Sequence, residues 1–182
     1  YKSDEAKEIV FPKLNEIREQ LESNKIRVYV DDRNELTPGY KFNDWELKGV
    51  PLRIEIGPKD IEKQQVILAK RYNREKISLG FTEIEKIVTI LDEIQNDMLK
   101  IARVKAKENT INISDYSEFK SKIGKGGFFN AYWCGKTECE EKIKEETGAD
   151  IRVIPFDSEN IGGKCVYCKE RSVAIPIFAR GY

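Results

Sequence analysis

Between Asp31 and Asp60 the chain reads D-D-R-N-E-L-T-P-G-Y-K-F-N-D-W-E-L-K-G-V-P-L-R-I-E-I-G-P-K-D, and its start and stop signals leave the backbone little choice. Thr37 before Pro38 is a helix N-cap followed by proline at the first helical position, where a missing N–H costs nothing. Helical phasing runs through Tyr40, Trp45 and Leu47, and Gly49 is placed to end the helix. Val50 to Gly57 then alternates apolar and charged residues as a half-buried strand does. Pro51 suits its first position or a sheet edge. Gly57-Pro58-Lys59-Asp60 reads as a turn with a cation and a carboxylate at its tip.

Composition limits the function classes. The 182 residues suffice for one large domain or two small ones. No window approaches a membrane-spanning apolar run, and the first residues, Tyr-Lys-Ser-Asp-Glu, lack the features of a signal peptide. Lys plus Arg equals Asp plus Glu, 32 each, so nucleic acid would be held through a few placed contacts rather than a basic coat. Histidine is absent, which removes the commonest general base and any histidine-based triad.

Ser3, with Asp4 and Glu5 in the first turn, suits a helix start. Ala6, Ile9, Val10, Leu14, Ile17 and Leu21 give that helix an apolar face, and Pro12 is expected to kink or split it. Ile26 to Val30 reads as a strand. Gln65 to Arg71 and Lys76 to Leu79 form a hairpin about Tyr72-Asn73-Arg74-Glu75. Thr82-x-x-Glu85 is a capping box opening the longest helix. Its expected buried stripe is Ile84, Ile87, Val88, Leu91, Ile94, Met98 and Ile101, with fraying near Lys105-Ala106-Lys107. The alternation of helix and strand signals predicts an α/β layered fold.

A module boundary falls near residues 107–111, giving domains 1–107 and 108–182. In the second, Ile111-Asn112-Ile113 leads to Ser114 as the cap of a short helix carrying Tyr116 and Phe119. Gly124-Lys125-Gly126-Gly127 breaks the chain, and it lacks both a preceding strand and Walker spacing. Strands are expected at Phe128–Trp133 and Ile151–Phe156 and in the run Val173–Phe178. A helix starts at Thr137 and ends at Gly148, and 157–164 read as a polar loop.

All four cysteines lie in this second module, as Cys134-x4-Cys139 and, 25 residues on, Cys165-x2-Cys168. Two pairs on two turns suit a tetrahedral zinc site, and with four thiolates the shell would be closed, stabilising the fold rather than activating water. Cys139, in the first turn of its helix, sits where the dipole favours a thiolate. Two disulfides or free buried thiols are the alternatives.

The Asp31–Asp60 segment, with Gln65-Val66-Ile67-Leu68-Ala69-Lys70-Arg71 after it, resembles the anticodon-binding domain of prolyl-tRNA synthetases of the archaeal and eukaryotic-like branch. P-G-Y-K-F, W-E-L-K-G-V-P and G-P-K-D carry the likeness, which runs on to the final A-R-G-Y. The resemblance implies a mixed-sheet anticodon-binding domain of the class IIa synthetase type, here without its first strand, followed by a small α/β zinc-binding domain held by Cys134, Cys139, Cys165 and Cys168. It further implies a cytoplasmic ligase acting in protein biosynthesis as a homodimer, which joins proline to its tRNA with ATP and Mg. The catalytic core is not in these residues. The expected partners are tRNA(Pro) and the enzyme's own catalytic domain, with no membrane. Tyr182 is expected to bring its carboxylate to the aminoacylation site.

Proline anticodons share two guanines, each offering N–H donors and O6 and N7 acceptors. A carboxylate meets the donors, Arg or Lys the acceptors, and an aromatic ring stacks on the base. By resemblance the anticodon contacts map onto Phe42, Glu46, Arg53, Lys59 and Asp60. Glu46 and Asp60 are expected at the donors, Arg53 and Lys59 at acceptors or phosphate, and Phe42 in the stack. From the residues alone a solvated turn at Lys59-Asp60, a core aromatic at Phe42 and a same-face Arg53–Glu55 strand pair are the favoured account, because no charge bias points to RNA. A free-standing RNA-binding adaptor and a structural zinc protein are the rival readings.

Overall fold

The computed structural model describes residues 4–156, 158 and 162–181, with side chains from residue 8 onward. The expected Ser3 cap, the side chains of Asp4, Glu5 and Ala6, part of the 157–164 loop and Tyr182 lie outside the described residues. The chain divides into two compact units, Tyr1–Lys100 and Ile101–Tyr182.

The first unit holds α1 (Asp4–Ser23), α2 (Pro38–Leu47), β1 (Leu52–Glu55), α3 (Pro58–Glu62), β2 (Gln65–Lys70), β3 (Lys76–Gly80) and the start of α4 (Lys86–Glu108). Its strands form an antiparallel sheet in the order β1-β2-β3. The expected β2–β3 hairpin is present, with Arg74 at φ 60° in its turn. Val66 and Leu68 of β2 are fully buried against Ile17 and Leu21 of α1 and Ile87 of α4. Alternation puts Ile67 and Ala69 on the other face, and the register Arg53↔Ala69, Glu55↔Ile67 and Ala69↔Lys76 brings Arg53, Glu55 and Lys76 to that same face. A one-residue slip would send all three into the core.

Four expectations for this unit are corrected. α1 continues through Pro12 as one helix; proline supplies no N–H to the preceding turn, a loss offset by burial of Val10, Ile17 and Leu21, while Ile9 is 53% exposed. Among the described residues, Ile26–Val30 joins no ladder. It has a strand's alternation, with Ile26 and Val28 against the core, but a strand also needs a neighbour for its N–H and C=O groups, and pattern alone cannot supply one. Gly57–Asp60 is the opening of a short helix rather than a free turn, with Pro58 at its first position. α4 starts at Lys86, after a 3-10 turn at Phe81–Glu83. Glu83 bonds back to the Gly80 backbone, so the chain tightens there before the α-helix begins. α4 then persists to Glu108 with Lys105 and Lys107 in its last turn, where cations suit the dipole. Of its expected stripe, Ile84, Ile87 and Ile94 are buried, whereas Val88, Met98 and Ile101 are exposed.

The second unit holds β4 (Thr110–Ile113), α5 (Tyr116–Ile123), β5 (Phe128–Ala131), α6 (Thr137–Thr147), β6 (Ala149–Val153) and β7 (Ile177–Arg180). Here the sheet is mixed, in the order β4-β5-β7-β6: β4 and β5 are parallel, and β7 runs antiparallel to both its neighbours. Phe119, Ile123 and Ile143 from the helices close over Ile113, Phe129, Ala131, Ala149 and Phe178 from the strands. The rings of Phe129 and Phe178 stand edge-on to Phe119 at 5.8 and 5.5 Å, a favoured aromatic geometry.

Asp115, not Ser114, caps α5, accepting from the Glu118 N–H at 2.8 Å. The strands also begin and end differently than expected, because an apolar run does not mark where a ladder stops. β7 begins after Pro176, which has no N–H to give, and Trp133 makes only an isolated bridge to Ala174. Gly127, at φ +104°, lies so near the Asn109 carbonyl that a Cβ would sit 3.0 Å from it. Gly148 ends α6 at φ +72°, as its position predicts.

Candidate nucleic-acid interface and metal centre

The Thr37–Gly49 helix forms as its sequence dictates. Thr37 Oγ1 accepts from the Tyr40 N–H, Pro38 is the first helical residue, and Gly49 follows the helix at φ +83°. No residue of α2 is buried, and Leu47 is 90% exposed, so the helix is not held by an apolar stripe. Charges hold it instead. Asp31 accepts from Arg33 at 2.7 and 2.9 Å and from the Trp45 indole N–H at 2.8 Å. Arg33 also reaches Asp44 at 2.9 Å, and Lys41 Nζ donates to the Asp31 carbonyl. The Arg33 guanidinium, with help from Trp45, holds the Asp31 carboxyl well below the usual carboxylate range despite the opposing effect of burial. Asp44 is lowered by Lys48 and Arg33. Asp31 is thus the post to which the helix is tied, and nothing local in the sequence singles it out from Asp32.

Of the five mapped contacts, Phe42, Glu46 and Arg53 come together. The Arg53 guanidinium lies over the Phe42 ring at 3.9 Å, and it donates to Glu46 Oε1 at 2.9 Å and to Glu55 Oε1 at 2.9 and 3.0 Å. Lys76 closes the far side, 2.9 Å from Glu55 Oε2. Glu55, which strand alternation alone puts on the same face as Arg53, was read only as its strand partner, and Lys76 was missed, because its signal is the cross-strand register, which no single segment displays. All of these groups remain partly accessible, so the cluster presents a cation on an aromatic ring flanked by two carboxylates.

Lys59 and Asp60 sit apart from that cluster in sequence, in the first turn of α3. Asp60 Oδ2 accepts the Gly57 N–H at 2.9 Å, and its other oxygen lies 3.5 Å from Gln65 Nε2. Asp60 already has a capping role, and Lys59 projects from the same turn into solvent.

In the second unit the four cysteines converge. Their sulfur atoms all lie within 4.8 Å of one another, and none is in a disulfide. Cys134 and Cys168 Sγ are 3.7 Å apart, close to the ~3.8 Å edge of a tetrahedron with ~2.3 Å metal–sulfur bonds. The donor set fits a closed tetrathiolate site. Burial pushes the Cys134 and Cys139 thiols up. At Cys165 burial acts the same way, but the backbone N–H groups of Cys168, Tyr167 and Cys134 outweigh it and lower the thiol. A cation is the natural remedy for thiols so crowded, since it replaces the protons that desolvation retains.

Likeness to known proteins follows the same two units. The family description "Anticodon binding domain" matches residues 3–91, and "Prolyl-tRNA synthetase, C-terminal" matches 116–182. The proline–tRNA ligase 2 of Clostridioides difficile is 43% identical over 175 residues, 95% of this chain and 36% of that protein. The proline–tRNA ligase of Natranaerobius thermophilus is 46% identical over 164 residues, 89% of this chain and 34% of that protein. The crystal structure of prolyl-tRNA synthetase from Cryptosporidium parvum, complexed with L-proline and AMP, superposes with a TM-score of 0.87 at 35% identity, covering 96% of this chain and 38% of that one. Bacterial relatives so similar make the archaeal and eukaryotic-like emphasis a minor point. The chain spans little more than a third of the length of these relatives, and it belongs to the prolyl-tRNA synthetase family, carrying its anticodon-binding and C-terminal domains.

Proposed function

We propose that this chain reads the anticodon of tRNA(Pro) as part of a proline–tRNA ligase, the parent protein joining proline to its tRNA with ATP and Mg as a cytoplasmic homodimer. The observation that carries the reading is the Arg53 cluster: a guanidinium preset over Phe42 and two carboxylates, on a sheet face turned away from the core. A guanine entering there would take Arg53 at O6 and N7 and a carboxylate at N1 and N2, while the Phe42–Arg53 pair offers a flat surface. Lys59 supplies a cation for phosphate, and Asp60 a second carboxylate once it shares or releases Gly57. Zinc in the Cys134, Cys139, Cys165 and Cys168 site would be structural, Tyr182 would approach the aminoacylation site, and the domains would meet at 107/108.

The test is binding to tRNA(Pro) against the same tRNA with both anticodon guanines replaced, at fixed salt. We expect preference for the guanines, weakened at least about tenfold by Arg53→Ala. Equal binding to both tRNAs, unaltered by Arg53→Ala or Asp60→Ala, overturns the reading and leaves the structural zinc protein as the better account.

A further inference from the structure

The two faces of the second sheet differ. Ile113, Phe129, Ala131 and Phe178 are buried under α5 and α6, while Asn112, Phe128, Asn130 and Tyr132 alternate to the opposite face, where Phe128 is 44% exposed. On that face lies a cleft of about 330 Å³ lined by Asn112, Ile113, Ser114, Asn130, Tyr132 and Ile175. It opens where the parallel strands β4 and β5 end, the carboxyl-end position at which open α/β sheets bind ligands.

The lining has a definite chemistry. Asn112 and Asn130 face each other across the parallel ladder, and Asn130 Nδ2 donates to Asn112 Oδ1 at 2.9 Å. That bond leaves the pair with the Asn112 amide N–H groups as donors and the Asn130 carbonyl as an acceptor, the two kinds of group that the edge of a nucleobase pairs with. Tyr132 adds an aromatic wall. It is fixed by Gly163, where a Cβ would lie 2.2 Å from the ring. Among the described residues, none of the six that line the cleft is charged, and its described wall offers no charge to a phosphate, a carboxylate or a metal ion. A peptide, for its part, pairs with a sheet edge in preference to a face. A four-stranded sheet with aromatics on a partly accessible face is, by contrast, a known means of receiving unpaired bases.

We infer that this cleft binds a single unpaired nucleobase, through the Asn112–Asn130 amide pair and Tyr132. The site is separate from the Arg53 cluster and lies in the other unit, so it does not depend on anticodon reading. The experiment titrates the 182-residue chain with adenosine, guanosine, cytidine and uridine, following the asparagine side-chain amide resonances by NMR, with N-acetylglycinamide as a peptide-amide probe. At least one nucleoside should shift the Asn112 and Asn130 amides in the millimolar range. Asn130→Ala should weaken that binding about tenfold. Tyr132→Phe, which keeps the ring and the fold, should weaken it less. Absence of shifts with all four nucleosides overturns the proposal, as do shifts produced equally by N-acetylglycinamide or left unchanged by both substitutions. Free nucleosides rather than tRNA are used, so failure here is distinct from failure at the anticodon.

Discussion

The two sheets, one antiparallel and one mixed, are stabilised differently. The reading face of the first unit is organised by ions: Asp31 anchors α2 through Arg33 and Trp45, and Arg53 is set by Glu46 and Glu55. The second unit is organised by interlocking phenylalanines and by four sulfur atoms brought to one point. Charged groups near solvent can exchange partners at little cost, which suits a surface that must admit a base. A packed aromatic core with a closed thiolate cluster cannot do so, which suits a scaffold. Damage should therefore have different signatures in the two units.

The largest effect should come from the aromatic core. Phe178→Ala removes a ring at the meeting point of α5, α6 and the sheet, at a cost of about 4 kcal/mol. Denaturant unfolding followed at a probe in each unit should show the second unit melting first while the first keeps its midpoint. Simultaneous loss of both units would break the comparison. Next comes the cysteine cluster. Stripping metal from zinc-loaded protein with a chelator should lower the stability of the second unit by about 3 kcal/mol where free zinc had stood a hundredfold above its Kd. Cys165→Ser should reproduce that loss and make the chelator ineffective.

The third effect is smaller and lies in the first unit. Asp31→Ala removes the acceptor shared by Arg33 and Trp45 and should cost about 2 kcal/mol, with Asp32→Ala near neutral as the control. Its pH counterpart has a definite sign. Asp31 and Asp44 carry carboxyls lower in the folded than in the unfolded chain. Their contribution is complete above the unfolded value of about 4 and is lost as pH falls through the depressed folded values. Acid unfolding followed at Trp45 should shift towards neutrality in Asp44→Asn. The smallest effect is expected at Lys76→Ala, which removes one exposed partner of Glu55 and should change stability by about 0.5 kcal/mol, less in high salt.

Much of this was legible in advance because the signals are local. The Thr37–Pro38 start, the glycines after α2 and α6 and the β2–β3 hairpin each depend on a few neighbouring residues, and each forms as expected. Local signals failed where two devices competed at one terminus. Glu83 bonding to Gly80 displaced the Thr82 capping box, and Asp115 displaced Ser114 as the cap of α5.

By itself the sequence determined the α/β class, the helix and hairpin that frame Arg53, and the two-pair spacing of the cysteines, since all of these follow from caps, periodicity and counting. Only the tertiary structure decided which charges meet. Arg53 finds Glu55 on its own strand, but Lys76 reaches Glu55 through a register that crosses three strands, and Asp31 outranks Asp32 because Trp45 and Arg33 converge on it from elsewhere. Tertiary structure likewise decided that Ile26–Val30 stays out of a ladder and that the lower half of the α4 stripe stays exposed. The physical reason is common to these cases. Strand alternation and the three- and four-residue steps of a helix say which side of a segment is apolar, but a hydrogen-bonded partner or a covering surface is supplied by residues distant in the chain.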